Sequence, residues 1–128
     1  MAGKYTEIVG IVAPSSAVAG QKVNIEVRIK NTYSASIGIM AGGALEYGVT
    51  PWPTIDYPSY QANVAAGATH TFYGSFTMPD SDVTIHAYSY WYGTDGAWHF
   101  DDDKTKDIDV AELVPEFSQF AISNYSRR

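Results

Sequence analysis

Lys22-Val23-Asn24-Ile25-Glu26-Val27-Arg28-Ile29-Lys30 is the stretch that decides the fold. Val23, Ile25, Val27 and Ile29 fall on one side of an extended chain, and Asn24, Glu26, Arg28 and Lys30 fall on the other. Successive side chains of a strand point to opposite faces, so strict alternation over nine residues describes a strand with one buried and one wetted face. Asn31-Thr32 breaks the pattern.

The same reasoning extends in both directions. Tyr5 to Val12 alternates loosely and closes at Ala13-Pro14, and the small residues from Ser15 to Gln21, around Gly20, form a turn. Ser36 to Tyr47 is apolar and reads as a buried strand, kinked or bulged at Gly42-Gly43. Gly48 to Tyr60 holds Pro51, Pro53 and Pro58. Proline donates no hydrogen bond to a ladder, so this segment is a long crossover or edge loop. Ala68 to Met78 sets Phe72, Gly74 and Phe76 against Thr71, Tyr73 and Ser75. Val83 to Tyr92 sets Val83, Ile85, Ala87, Ser89 and Trp91 against Thr84, His86, Tyr88, Tyr90 and Tyr92. Gly93-Thr94-Asp95-Gly96 is a hairpin turn, and Trp98 to Val110 is the last strand. The expectation is an all-β domain over residues 1–112: a two-sheet sandwich of about seven antiparallel strands, followed by a C-terminal extension over 113–128.

Composition narrows the function classes. The chain has 128 residues, which suits one domain. Only 17% of residues are charged and ten are tyrosines, so tyrosine must cover surface that lysine and glutamate usually cover. The formal net charge of −6 argues against nucleic acid as a partner, because phosphate contacts need a basic stripe. The absence of cysteine removes disulfides and thiolate metal sites. No stretch approaches the roughly 20 apolar residues of a membrane helix, and no basic-then-apolar leader follows Met1. The expected site of synthesis is therefore the cytoplasm, with a mature secreted domain as the alternative.

The run from Pro14 to Thr32, with Gly20-Gln21 before the alternating strand and Lys30-Asn31 at its end, resembles the opening of bacterial and archaeal immunoglobulin-like domains of the CARDB and fibronectin-like kind. Phe72-Tyr73-Gly74-Ser75-Phe76-Thr77-Met78-Pro79 is similar to the strand and turn that follow in such domains. That run, with Tyr88 to Tyr92 and the Trp98 to Asp102 segment, also resembles small immunoglobulin-like proteins of tailed phages. The resemblance implies a scaffold for adhesion, spacing or virion decoration with no shared catalytic residues, and with it a virion or other assembled particle as the expected location, the extracellular surface being the alternative; no cofactor is expected.

The candidate chemistry is sparse. No nucleophile elbow, phosphate-cradling loop or paired carboxylates stand out, so no catalytic residues are assigned. Asp95, Asp101 and Asp103 lie in an acidic stretch that could offer oxygens to calcium, although the spacing is not that of an EF-hand. The competing reading is a solvated edge strand whose charges discourage edge-to-edge pairing. His70, His86 and His99 lie on different strands without zinc-ligand spacing. The aromatics carry more weight. Tyr88, Tyr90 and Tyr92 share one strand face, and Trp52, Tyr57 and Tyr60 decorate the proline-rich loop. Such rows serve as ordinary surface, as protein interfaces or as platforms for sugar rings. The final segment carries Leu113, Val114, Phe117, Phe120, Ile122 and Tyr125, too apolar for a solvated tail. These residues are expected to pack on the same domain or, as an assembly arm, on another copy or another structural protein.

Overall fold

A computed structural model describes residues 3–111. It holds eight strands: β1 (Thr6–Val12), β2 (Ser16–Val18), β3 (Lys22–Asn31), β4 (Ile37–Glu46), β5 (Gln61–Val64), β6 (Thr69–Thr77), β7 (Val83–Tyr92) and β8 (Trp98–Ala111). They form two sheets, one of order β1-β3-β6 and one of order β2-β8-β7-β4-β5. The all-β sandwich expected from the alternation is what forms. The decisive stretch is β3, the centre of the smaller sheet, paired antiparallel to β1 and β6. Val23, Ile25, Val27 and Ile29 are buried, and they meet Ile39, Leu45, Ile85 and Ile108 of the larger sheet in one core. Burying such side chains stabilises by about 1.5–3 kcal/mol each, which is why the alternation sets the fold.

Four details depart from the sequence reading. Ser16–Val18, expected within a turn, is a strand, and it runs parallel to β8 from Asp109 to Ala111. Three residues are too few to display a period. β5 was not anticipated because its polar residues Gln61 and Asn63 sit on an edge. The Gly42-Gly43 pair causes no bulge: β4 stays in register with β7 through Gly42↔Tyr88 and Gly43↔Ala87. These glycines instead provide space. A Cβ on Gly42 would lie 3.2 Å from the Tyr90 ring, and one on Gly43 would lie 2.7 Å from the His86 carbonyl oxygen.

The fourth departure concerns the acidic run. The β7–β8 register shifts between Ser89 and Tyr90, so that Tyr90 faces Phe100 while Ser89 faces Asp102. Asp101 is the extra residue of a bulge, and both Asp101 and Asp102 turn toward β1 of the opposite sheet. Asp101 accepts hydrogen bonds from the amides of Lys4 (2.6 Å), Tyr5 (3.1 Å) and Thr6 (2.7 Å). Asp102 accepts one from the Ile8 amide at 2.9 Å. Asp101 and Asp102 are therefore not a solvated edge. They cap amides on the outer edge of β1 and tie the two sheets together.

The proline-rich segment closes the opposite side. The Ile55 amide donates to the Gly43 carbonyl, and Asp56 exchanges hydrogen bonds with Ser75 of β6. Tyr57 follows, and its ring fills the space left by Gly74. The expected arm residues from Leu113 onward lie outside the described residues.

Candidate binding face

The outer face of the five-stranded sheet collects most of the aromatic candidates. On β7, His86, Tyr88, Tyr90 and Tyr92 point away from the core because Val83, Ile85, Ala87 and Ser89 point into it. The bulge at Asp101 keeps Phe100 on the outer side beside Tyr90. Without that register shift, Tyr90 would face Asp101 there. The ring centroids of Tyr88 and Tyr90 lie 5.9 and 5.8 Å from that of Phe100, both edge-on. Trp52 stacks on His86 at 4.5 Å, and His86 lies 6.3 Å from Tyr88. Five aromatic side chains thus run continuously across β7 and β8, and Phe100 is 57% exposed. Tyr92 and Trp98 form a second edge-on pair at 5.1 Å.

Beside this ridge lies β4, whose outward residues are Gly38, Met40, Gly42 and Ala44. The small size of Gly38, Gly42 and Ala44 leaves two open hollows. One, of about 430 Å³, lies over Gly42 and Ala44 between Tyr88 and Tyr90 on one side and Tyr60 on the other. The second, of about 500 Å³, lies over Gly38 between Tyr92 and Trp98 on one side and Asn63 and Gln61 on the other.

Charge on this face is negative. His86 pairs with Glu46 at 2.8 Å, and Asp103 stands opposite Tyr88. Burial raises the pKa of the Tyr88 phenol above its ordinary value, and Tyr90, Asp103 and Glu46 add to the shift. Tyr88 therefore stays protonated near neutrality, available as a hydrogen-bond donor.

The remaining candidates are placed as follows. Trp52, Tyr60, Tyr88, Tyr90 and Tyr92 belong to this face. Tyr57 does not: it is 6% exposed and part of the core. Its hydroxyl is buried without a hydrogen-bond partner among the described residues, and burial raises its pKa. Asp95, Asp101 and Asp103 do not converge. Asp95 holds His99 at 2.9 Å and the Ala97 amide at 3.1 Å in the β7–β8 hairpin, Asp101 caps β1, and Asp103 lies on the outer face. No group of three or more His, Asp or Glu is placed to hold a metal among the described residues. His70 packs edge-on against Phe72, away from the other two histidines. The sequence reading missed Phe100 and Trp98, since an unanticipated bulge decides which way Phe100 points. It also missed Gly38, Gln61 and Asn63, which acquire meaning only through strand pairing.

Among the described residues, two histidine–carboxylate pairs form, His86–Glu46 and His99–Asp95. Among the described residues, no hydroxyl is hydrogen-bonded to either histidine.

No family model matches the chain, and no curated protein sequence matches it. Solved structures do match. The putative ApaA protein of Bordetella pertussis is 16% identical, with a TM-score of 0.59 over 86% of this chain and 98% of that one. A CARDB domain from Pyrococcus furiosus, solved in complex with di-metal ions, is 10% identical, with a TM-score of 0.55 over 87% and 93%. The alkylpurine DNA glycosylase AlkC of Pseudomonas fluorescens, bound to DNA, is 12% identical, with a TM-score of 0.61 over 84% of this chain. The match spans only 31% of that glycosylase. Enzymes and non-enzymes share this sandwich, and the likeness establishes an immunoglobulin-like fold.

Proposed function

We propose that this protein is a non-enzymatic adhesion or assembly module, an immunoglobulin-like scaffold that presents the outer face of its five-stranded sheet to a partner. The observation that carries this reading is the uninterrupted aromatic ridge from Trp52 to Phe100 beside the glycine-floored hollows of β4. Aromatic anchors next to desolvated hollows are the usual form of binding hot spots. The described core does not include them: the inner faces of both sheets are filled by aliphatic residues, Met78, Phe72, Phe76 and Tyr57.

The test is the full chain carrying Tyr90→Ser and Phe100→Ser together. Light scattering reads self-association, and a glycan array reads saturable surface binding. The expected result is that the wild type shows at least one of these, and that the double variant loses it while keeping its strand circular dichroism. A wild type that is monomeric and binds nothing overturns the reading, as does a variant that behaves like the wild type.

A second reading concerns the sequence after β8. Leu113, Val114, Phe117, Phe120, Ile122 and Tyr125 are apolar enough to serve as an assembly arm, which would suit a subunit of a tailed-phage virion or a surface lattice. Phe117→Ser with Phe120→Ser in the full chain should lower the mass seen by light scattering. An unchanged mass removes the arm.

A further inference from the structure

One row across the larger sheet has a composition unlike the rest. Reading across β5, β4, β7 and β8, it runs Asn63, Gly38, Tyr92, Trp98. Gly38 pairs with Asn63, and Tyr92 pairs with Trp98. A Cβ on Gly38 would lie 3.2 Å from the Tyr92 Cβ, 3.5 Å from the Trp98 Cη2 and 3.7 Å from the Asn63 Oδ1. Glycine therefore leaves a slot with an indole on one wall and a carboxamide on the other. Gln61, two residues from Asn63 on the same face of β5, adds a second carboxamide to the same hollow.

We infer that this hollow is a subsite for one pyranose ring of a neutral oligosaccharide, stacked on Trp98 with Tyr92 at its edge and hydrogen-bonded by Asn63 and Gln61. The inference rests on the binding-face reading above and names the partner class. A pyranose has two kinds of surface. Its C–H patches are weakly positive and suit the negative face of an aromatic ring. Its hydroxyls both donate and accept, and a carboxamide answers both, with one carbonyl oxygen and two N–H groups. Alternative occupants fit less well. None of the six residues lining the hollow is charged, so nothing there pairs with a sulfate, phosphate or carboxylate. The net charge of −6 further disfavours a polyanionic glycan. A purely apolar side chain from a protein would leave the two carboxamides without partners on burial. The other hollow, over Gly42, lies four residues along β4, about 13 Å away. Tyr60 and Tyr90 flank it. An oligosaccharide lying along β4 would engage both, so affinity should grow with chain length.

The test uses the intact protein on a printed panel of neutral hexose and N-acetylhexosamine oligosaccharides, with heparin as the polyanion. Titration calorimetry follows for the strongest neutral hit at two chain lengths. The expected result is saturable neutral binding that tightens with length. Trp98→Ala and Asn63→Ala should each weaken it by about tenfold or more, the loss expected of a binding hot spot. Gly38→Val, which fills the slot, should abolish it. Hydrogen–deuterium exchange of β3 shows whether each variant keeps its core. Neutral binding that ignores all three substitutions overturns this subsite but leaves the binding-face reading standing. Binding to heparin alone overturns the neutral class. No binding to any glycan overturns the inference outright. The face reading then survives only if the wild type self-associates and Tyr90→Ser with Phe100→Ser prevents it.

Discussion

Asp102 on β8 accepts a hydrogen bond from the amide of Ile8 on β1 at 2.9 Å, across the gap between the two sheets. The bond belongs to a chain whose direction the chemistry fixes. The Thr6 hydroxyl donates to Asp101 at 2.6 Å, so its single proton is used. Ser89 must then donate across the 2.6 Å contact to Thr6, and Ser89 in turn accepts from the Asp102 amide at 3.1 Å. Thr6, Ser89 and Asp102 are all buried. Every donor in the chain has its acceptor, and the two sheets are joined by polar contacts along an edge that apolar packing leaves open.

Asp102→Ala should therefore destabilise the domain by about 1–3 kcal/mol, the cost of leaving a buried amide unpaired. Asp101→Ala removes the acceptor of three amides and a hydroxyl that are exposed or part-buried, and should also destabilise, by about 1–3 kcal/mol. Urea titration followed by tryptophan fluorescence measures both. Asp103→Ala, on the exposed outer face, is the control and should change stability by less than about 0.5 kcal/mol. Equal effects at 102 and 103 would mean that the inter-sheet chain contributes nothing.

Tyr57 offers the opposite case, a buried polar group without a partner among the described residues. Tyr57→Phe should leave stability unchanged or raise it, because the desolvated hydroxyl gains nothing in return. Gly74→Ala should lower stability by about 1–3 kcal/mol, because its Cβ would come 2.7 Å from the Tyr57 ring, and overpacking of this kind forces side chains off their rotamers. Thermal unfolding of the two variants checks both signs.

These contrasts show what the sequence made legible. The alternation in β3 and β7 specified which side chains face inward, and the sandwich followed. That information is local, since each side chain alternates with its neighbours. The meaning of Asp101, Tyr57 and Gly38 is not local. Asp101 works against residues roughly a hundred positions earlier in the chain, and only the β8 bulge turns it there. Tyr57 resembled its surface neighbours Trp52 and Tyr60 until the Asp56–Ser75 contact carried it into the core. Gly38 became part of a hollow only once Asn63 and Tyr92 flanked it. The tyrosine row was visible from the period of β7, but Phe100 and Trp98 joined it through pairing that no single strand reveals.

Asp95 should titrate below its ordinary value, first because it accepts the hydrogen bond from His99 and then because it accepts the Ala97 amide. A carboxyl whose folded pKa is depressed contributes stability above its unfolded pKa and loses that contribution as the pH falls through the folded pKa. Carbon-detected NMR of the Asp95 carboxyl should show the low midpoint, and His99→Ala should move it back upward. A midpoint that is already ordinary in the wild type would mean that the His99 contact does not persist in solution.

The last prediction compares two phenylalanines. Phe72 is 1% exposed in the core, and Phe100 is 57% exposed on the ridge. Phe72→Ala should cost about 3–5 kcal/mol, because it deletes buried surface and leaves a cavity. Phe100→Ser should change stability by less than about 0.5 kcal/mol, since it removes a side chain that water already reaches. Chemical denaturation of both variants decides the matter. If Phe100→Ser unfolds the domain as Phe72→Ala does, the ridge is a second core layer and its aromatics serve the fold. If it leaves the fold intact, the ring does not serve the core, and any loss of partner binding in the same variant reports on the face itself.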